Sequence, residues 1–263
     1  MQEENIGNFK INKIVLNGDK KIVFIKKDSY EIYNYYFDDL NIKEGLEYDC
    51  SKLDEIKKVV EQSKIMDYIL SLTRKKIKTC YEIKNKCLKK FDNEKNIDEA
   101  VSLLKKYKVI DDKFFVEAYL YVLNEECYGK YYIINFFKHK NVEESIIKTL
   151  IFDEESEIEK ARKYFEEVKN FYVSTNYVKQ KKKIYDCLLK RGFDVEIILN
   201  LLSNLKINKE KEYKILEKDY SKMKDKYSKK YTGRELNNKI VNALISKGYN
   251  YSDISEFINS EEN

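Results

Sequence analysis

The chain has 263 residues, of which 43% are hydrophobic and 37% charged, and its formal net charge at pH 7 is +5. This much apolar material can form a core, which excludes a disordered chain, and no apolar run approaches the ~20 residues that span a membrane. The first residues, MQEENIGNFK, contain no apolar segment of the signal-peptide type. We therefore expect a cytoplasmic protein that does not bind membranes.

The residue types that carry chemistry form no catalytic or metal-binding pattern. Five cysteines occur without a CxxC pair, and the single histidine, His139, lies between two lysines. Buried free thiols are the simplest interpretation of the cysteines, because cysteine packs as a small hydrophobe. The sequence also contains no GxxxxGK[ST] phosphate loop. We expect a protein that is not an enzyme and that uses no metal ion or cofactor.

The N-terminal segment is rich in β-forming residues. An Asn-Gly pair at residues 17–18, a strong hairpin signal, separates the runs Ile14–Leu16 and Ile22–Ile25. The aromatic run Tyr30–Phe37 alternates with polar residues and predicts a third, half-buried strand. Helical spacing follows, so residues 1–62 are predicted to form a strand-rich segment with a linking helix.

Gly192 and Gly248, 56 residues apart, occupy the same position in a repeated pattern. Asn141 occupies it as well, 51 residues before Gly192. Large apolar residues stand eight and four positions before each of the three: Ile133 and Phe137, Ile184 and Leu188, Ile240 and Leu244. Apolar residues recur mainly five, six, nine and ten positions afterwards, which indicates an internal repeat.

The repeated pattern is typical of a helix end followed by a new helix. Glycine, and less often asparagine, adopts the left-handed conformation that ends a helix. Asp194 and Asn250 then lie where a side chain caps the next helix. Asp111 precedes another apolar-periodic run in the same way, so the pair Asp111-Asp112 is interpreted as a cap and first helical turn, with a metal or catalytic pair as the alternative.

Another helical pattern precedes the helix that ends at each turn, so each repeat contains three helices. An earlier copy, whose turn FDNEKN lacks the glycine, fits the same scheme. We therefore predict a mainly α fold, in which a small N-terminal β-rich segment is followed by tandem three-helix repeats in an elongated array. The predicted repeats are residues 63–110, 111–152, 153–205 and 206–263.

Residues 179–191 contain six basic residues and one acidic residue. At 100° per residue, Lys179, Lys182, Lys183 and Lys190 share the helix side opposite the apolar stripe. These four lysines and Arg191 are candidate contacts to DNA phosphates or to an acidic groove, and the alternative is a solvated helix face. The equivalent helices of the neighbouring repeats carry no such stripe.

The stretch VIDDKFFVEAYL, residues 109–120, resembles the most recognisable segment of the RecX family of bacterial regulatory proteins. An aliphatic pair is followed by Asp111-Asp112, two variable residues, an aromatic residue and an alanine-bearing helix. Gly129 and Ile133 match a second motif, in which Lys130 replaces the usual proline. The resemblance covers about residues 11–258, and the chain departs from it in its few arginines and its irregular first repeat.

The resemblance implies a non-enzymatic regulator that binds the RecA–DNA filament and inhibits or modulates the recombinase, within DNA repair, recombination and the SOS response. It implies RecA as the partner, with weak, salt-dependent binding to single- and double-stranded DNA, and we expect a monomer. The residues leave two alternatives open: a stand-alone DNA-binding helical-repeat protein, and a helical scaffold that binds peptides.

Overall fold

The computed structural model describes residues 8–261, which form four β-strands and thirteen α-helices. The strands are β1 (Phe9–Asn17), β2 (Lys20–Ile25), β3 (Asp28–Tyr33) and β4 (Glu47–Tyr48). The helices are α1 (Asn34–Phe37), α2 (Cys50–Lys75), α3 (Cys80–Leu88), α4 (Glu94–Lys106), α5 (Asp112–Glu125), α6 (Lys130–His139), α7 (Glu144–Ile147), α8 (Glu154–Phe171), α9 (Tyr177–Lys190), α10 (Val195–Ser203), α11 (Lys209–Tyr227), α12 (Gly233–Ser246) and α13 (Tyr251–Glu261). The prediction of a mainly α protein with a small N-terminal sheet is confirmed.

The chain divides into two compact units. Of the described residues, the first comprises 8–117 together with 139–146, and the second comprises 118–138 together with 147–261. The division falls within α5, at the end of α6 and at the end of α7.

The sheet of the first unit is antiparallel, with strand order β3-β2-β1-β4. The predicted hairpin is confirmed, because Asn17 pairs with Lys20 across a two-residue turn in which Gly18 has φ +62°. β4 was not predicted. It pairs with the first two residues of β1 and immediately precedes α2.

The predicted third strand ends earlier than its alternation indicated. β3 stops at Tyr33, and residues 34–37 form the helical turn α1. Tyr33, Tyr36 and Phe37 are all buried. In a continued strand, Tyr36 and Phe37 would lie on opposite faces, whereas a helical turn places residues three and four apart on one side. Burial of all three rings therefore favours the turn.

One hydrophobic core joins the sheet to the helices of the first unit. It includes Ile11 and Ile32 of the sheet, Ile56 and Ile69 of α2, and Ile83 of α3. α2 is a single 26-residue helix, so the expected boundary at residue 62 lies inside it. Asp49 caps its first turn by accepting a hydrogen bond from the Lys52 N–H at 3.2 Å.

Two hydrophobic cores of the second unit are each formed by three helices. The core of α8, α9 and α10 contains Phe165, Ile184, Leu188, Phe193 and Ile198. The core of α11, α12 and α13 repeats the arrangement with Leu216, Tyr220, Ile240, Leu244, Tyr249, Ile254 and Phe257. Around the turns the two cores match: the residues four and eight positions before Gly192 and Gly248, and those one and six positions after them, are buried in both.

The third helix of the second repeat differs from this pattern. α7 has four residues, and Ile151, which the spacing aligned with the buried Leu202, is 90% exposed. Only twelve residues separate Asn141 from the start of α8, whereas sixteen separate Gly192 from the start of α11. The shorter connection leaves four fewer residues for the third helix and for its link to the next repeat.

Candidate functional site

Helix α9 carries the predicted basic stripe and has well-defined ends. At its start, the Asn176 Oδ1 accepts a hydrogen bond from the Lys179 N–H at 2.8 Å. At its end, Gly192 has φ +88°, and the N–H of Phe193 donates to the Leu188 carbonyl at 3.2 Å. This hydrogen bond and the buried Phe193 side chain complete the Schellman-type end that the sequence indicated.

Four lysines lie on the side of α9 opposite Ile184 and Leu188, and we call them the lysine face: Lys179, Lys182, Lys183 and Lys190. Three of them are exposed, and the fourth, Lys183, is half-buried. Within residues 8–261, no carboxylate forms an ion pair with any of them. Asp186 is the one acidic residue on this side of the helix and is itself exposed. The lysine face is therefore a concentration of uncompensated positive charge.

The Lys183 ammonium lies over the ring of Tyr172, 4.6 Å from its centroid. This cation–π contact restricts the Lys183 side chain, while its charge stays at the surface. The Tyr172 hydroxyl in turn contacts Cys187 Sγ at 3.7 Å. One member of the lysine face is therefore held in position by a side chain of α9's own repeat.

Arg191, the fifth predicted contact residue, lies in a different environment. Its guanidinium carbon is 3.7 Å from the centroid of the Tyr128 ring and 4.6 Å from that of Tyr164. Its Nε donates to the Cys127 carbonyl at 3.3 Å, and its Nη2 donates to the Glu126 carbonyl. These contacts join the second and third repeats. Because they engage the Arg191 guanidinium within the protein, the four lysines are the predicted contact residues whose charge is directed to the surface.

Consecutive repeats meet at joints that share one hydrogen-bonding scheme. In each joint, a carboxylate from the first helix of one repeat accepts a hydrogen bond from the first backbone N–H of the preceding repeat's middle helix. The pairs are Asp112 Oδ1 with Cys80 N at 2.8 Å, Glu157 Oε2 with Lys130 N at 2.9 Å, and Glu212 Oε2 with Tyr177 N at 2.9 Å. A negative charge at a helix N-terminus also interacts favourably with the helix dipole.

Each joint has a second hydrogen bond, made to the backbone carbonyl just before the turn residue of the next repeat. The donors are Thr79 Oγ1 to the Lys140 carbonyl at 3.0 Å, Gly129 N to the Arg191 carbonyl at 2.9 Å, and Asn176 Nδ2 to the Lys247 carbonyl at 2.9 Å. Asn141, Gly192 and Gly248 therefore follow carbonyls that bind the neighbouring repeat. Their φ values are +52°, +88° and +98°.

The joint between the second and third repeats brings the chain closer together than the joint between the third and fourth repeats. A Cβ atom on Gly129 would lie 2.4 Å from the Gly192 carbonyl oxygen, and a Cβ on Gly192 would lie 2.2 Å from the Tyr132 nitrogen. At the next joint, a Cβ on Gly248 would lie 3.0 Å from the side chain of Val178. Glycine is thus required at residue 192 both by its backbone conformation and by the approach of another backbone.

The remaining predicted cap residues lie at helix starts. Asp111 Oδ1 accepts hydrogen bonds from the Lys113 and Phe114 N–H groups at 2.8 and 3.3 Å. Asn250 directly precedes α13, and its side-chain amide donates to Asp253 at 3.4 Å.

Asp194 has two roles. Its Oδ1 accepts from the Glu196 N–H at 3.1 Å, and its Oδ2 lies 3.1 Å from both the Lys130 ammonium and the Tyr131 hydroxyl. The Glu196 N–H, followed by Lys130 and Tyr131, lowers the pKa of Asp194 below its usual value. Asp194 therefore caps α10 and also binds the preceding repeat.

The joint carboxylates were not recognised in the sequence. Glu157 and Glu212 each stand four positions after the residue that caps their helix, Asp153 and Asn208, and this shared offset could have identified them. Their partners lie 27 and 35 residues earlier in the chain, beyond the reach of helical periodicity.

The described part of the chain offers a surface for charge recognition. Residues 8–261 contain no cluster of three or more histidine, cysteine, aspartate or glutamate residues that could hold a metal ion. Over the same range, no helix is long and apolar enough to cross a membrane. The lysine face can bind phosphate groups or carboxylates, and the joints fix the ends of the helix that carries it.

The chain is similar to proteins of one family. It is 28% identical over 256 residues to the regulatory protein RecX of Lactococcus lactis subsp. lactis strain IL1403, covering 94% of this chain and 92% of that protein. It is 31% identical over 228 residues to the regulatory protein RecX of Streptococcus agalactiae serotype III strain NEM316, covering 81% and 84%.

The chain also resembles a crystal structure of a regulatory protein RecX, with a TM-score of 0.65 and 18% sequence identity. The match covers 74% of this chain and 100% of the other, and it shows a likeness of fold. No protein-family profile matches the chain. The sequence identity to the streptococcal protein and the length over which it extends nevertheless establish the relationship. The chain belongs to the RecX family of regulatory proteins.

Proposed function

We propose that this protein binds the RecA–DNA filament and lowers or modulates recombinase activity, with the lysine face as a main contact to phosphates or to acidic groups of the filament. Membership of a family of regulatory proteins supports the regulatory role. The proposal includes weak, salt-dependent binding of a monomer to single- and double-stranded DNA in the cytoplasm.

The uncompensated charge of the lysine face is the observation that carries this proposal. Lys179, Lys182 and Lys190 are exposed, and no ion pair within residues 8–261 offsets any of the four lysines. A phosphate chain or an acidic groove would supply the missing negative charge. Because lysine–phosphate contacts release counterions, binding through this face weakens as the salt concentration rises.

RecA-catalysed ATP hydrolysis on single-stranded DNA, measured with increasing amounts of the protein, tests the proposal. We expect ATP turnover to change as the protein is added. Replacing all four lysines of the face by glutamate should raise the amount of protein needed about tenfold or more, because several phosphate contacts are lost. A plot of log affinity against log salt concentration for single-stranded DNA should become less steep by about 3, because each of the four lost phosphate contacts contributes about 0.7 to the slope.

A matched control variant has the same change of charge on another helix. Lys211, Lys214, Lys218 and Lys222 of α11 are exposed, and their replacement by glutamate should leave the effect on ATP hydrolysis close to that of the unmodified protein. Equal losses in the two quadruple variants would show that net charge matters and the lysine face does not. Unchanged ATP turnover with intact DNA binding would instead favour a stand-alone DNA-binding protein.

A further inference from the structure

Helix α9 carries a second outward row of side chains, which is apolar. Val178 and Leu189 are 51% and 45% exposed, and Tyr185 between them is half-buried. At 100° per residue, the three side chains lie within about 40° of one another around the helix axis. They therefore form one row along α9, which we call the apolar row.

The apolar row borders the lysine face directly. Lys182 stands four residues after Val178 and three residues before Tyr185, so the three side chains are neighbours on the helix surface. Lysine side chains lay their apolar stems along neighbouring apolar groups while the ammonium stays in water. The outer surface of α9 thus places apolar and positively charged groups side by side.

The charge on both flanks of the apolar row is positive. On one flank, the lysine face has four lysines and one carboxylate, the exposed Asp186. On the other flank lies Lys181, and no carboxylate within residues 8–261 forms an ion pair with it or with the lysine face. Asp194, the first acidic residue after the helix, is already bound to the Lys130 ammonium at 3.1 Å. A ligand that covers this surface must therefore supply negative charge.

Phosphate groups alone match only the charged part of this surface. A phosphate chain is polar, and bases stack on aromatic rings, whereas Val178 and Leu189 are aliphatic. An amphipathic helix of a protein matches both parts, because it carries apolar anchors at i, i+3, i+4 and i+7 with charged residues beside them. The apolar row has the same spacing, with steps of seven and four residues, and extends over about 16 Å, or three helical turns.

We propose that the apolar row and the lysine face together bind an acidic amphipathic helix of a partner protein, about three turns long, that lies alongside α9. Its apolar side chains pack on Val178, Tyr185 and Leu189, and its carboxylates face the lysines. This inference deepens the proposed function and rests on it for the role of the lysine face as a contact surface. It names an acidic protein segment, and not DNA, as the group that covers α9.

Helix α12 provides a matched control position. Ile245 stands three residues before Gly248, as Leu189 stands three residues before Gly192, and Ile245 is 44% exposed. The residues of α12 at the positions of the four lysines are Glu235, Asn238, Lys239 and Ser246. α12 therefore has the exposed apolar side chain without the positive face beside it.

A helical peptide of about 21 residues, or three heptads, is a suitable probe. It has leucine at heptad positions a and d, glutamate at e and g, alanine or glutamine elsewhere, and blocked ends. One control peptide has lysine in place of glutamate, and a second has serine in place of leucine. In calorimetry with the whole protein, we expect the acidic leucine peptide to bind and each control to bind at least tenfold more weakly, because each lacks one part of the interaction.

Substitutions in the protein locate the contact. Leu189→Ser should weaken binding of the acidic peptide about fivefold, the effect of losing the apolar surface that Leu189 exposes, whereas Ile245→Ser should not weaken it. With glutamate in place of all four lysines of the lysine face, the acidic peptide should no longer bind and the lysine peptide should bind instead. This exchange of preference requires a folded helix, so it separates direct contact from loss of structure.

Single-stranded DNA competes with the peptide for the same lysines but does not use the apolar row. Leu189→Ser should therefore leave the affinity for single-stranded DNA unchanged. A loss of DNA affinity as large as the loss of peptide affinity would show that the apolar row contacts nucleic acid, and would overturn the proposal.

Three other results would also overturn it: no binding at millimolar peptide, equal binding of the acidic and lysine peptides, and equal effects of Leu189→Ser and Ile245→Ser. These measurements contain no RecA, so their outcome is separate from the test of the proposed function. A change in ATP turnover without peptide binding would support the proposed function and refute this inference. Peptide binding with unchanged ATP turnover would do the reverse.

Discussion

Replacing Gly192 by alanine tests the joint between the second and third repeats. Gly192 has φ +88°, a conformation that an alanine adopts only at a cost. A Cβ atom at this residue would lie 2.2 Å from the Tyr132 nitrogen and 2.5 Å from its Cβ. Since atoms of a helix backbone cannot move aside alone, the two repeats have to separate locally.

The expected loss of stability has two parts. The left-handed conformation costs alanine about 1 to 2 kcal/mol relative to glycine. Local separation also breaks the hydrogen bonds from Gly129 N to the Arg191 carbonyl and from Tyr131 N to the Gly192 carbonyl, 2.9 and 3.1 Å long. At about 1 kcal/mol each, they bring the total to about 3 to 4 kcal/mol.

Urea unfolding followed by circular dichroism gives this difference, and amide exchange at Gly129 locates it. Gly233→Ala is the matched control in the same unit, because Gly233 has φ +54° and no atom within 4 Å of an added Cβ. The control should lose only the conformational part, about 1 to 2 kcal/mol. If Gly192→Ala costs no more than Gly233→Ala and exchange at Gly129 is unchanged, the close approach does not stabilise the joint.

Two further substitutions examine individual side chains of the joints. Burial raises the pKa of Glu212, although its hydrogen bond from the Tyr177 N–H opposes this. Because the pKa is higher in the folded than in the unfolded protein, the stability that the protonated Glu212 contributes is complete below the unfolded pKa and declines as pH rises through the folded pKa. Unfolding measured between pH 4 and 7 should therefore show that the unmodified protein loses stability relative to the Glu212→Gln variant. Arg191→Lys keeps the charge but loses the stacking on Tyr128 and Tyr164, so it should cost about 1 to 2 kcal/mol in urea unfolding and leave the salt dependence of DNA binding unchanged.

Local patterns predicted the helices and turns because their causes are local. A left-handed residue after an apolar stripe is a property of adjacent positions, so Gly192 and Gly248 located two helix ends, and their frame led to Asn141. The two-residue turn at Gly18 follows in the same way from φ > 0 in a tight hairpin. The charge stripe on α9 could be predicted because helical periodicity fixes which side chains share a face.

Features that depend on packing between distant segments were missed or mistaken. The alternation of Tyr30–Phe37 fits a strand, but burial of three rings on one side imposes a helical turn after Tyr33. Ile151 matched the repeat spacing, yet the short connection to α8 leaves it exposed. Glu157 and Glu212 appeared as ordinary acids of amphipathic helices, since their shared offset from the helix cap does not indicate which distant helix N-terminus they bind.

The joints give the lysine face a property that the sequence pattern alone did not imply. α9 is held at its start, where Asn176 donates to the Lys247 carbonyl and Glu212 accepts from the Tyr177 N–H, and just beyond its end, where Gly192 meets Tyr132. A helix fixed at both ends keeps its surface charges in a constant arrangement. The proposed binding of phosphates or acidic groups to the lysine face therefore costs less conformational entropy than it would for a mobile helix. The lysine side chains themselves must still be ordered, apart from the one that rests on Tyr172. Loosening either joint should therefore weaken binding through this face without removing any charge from it.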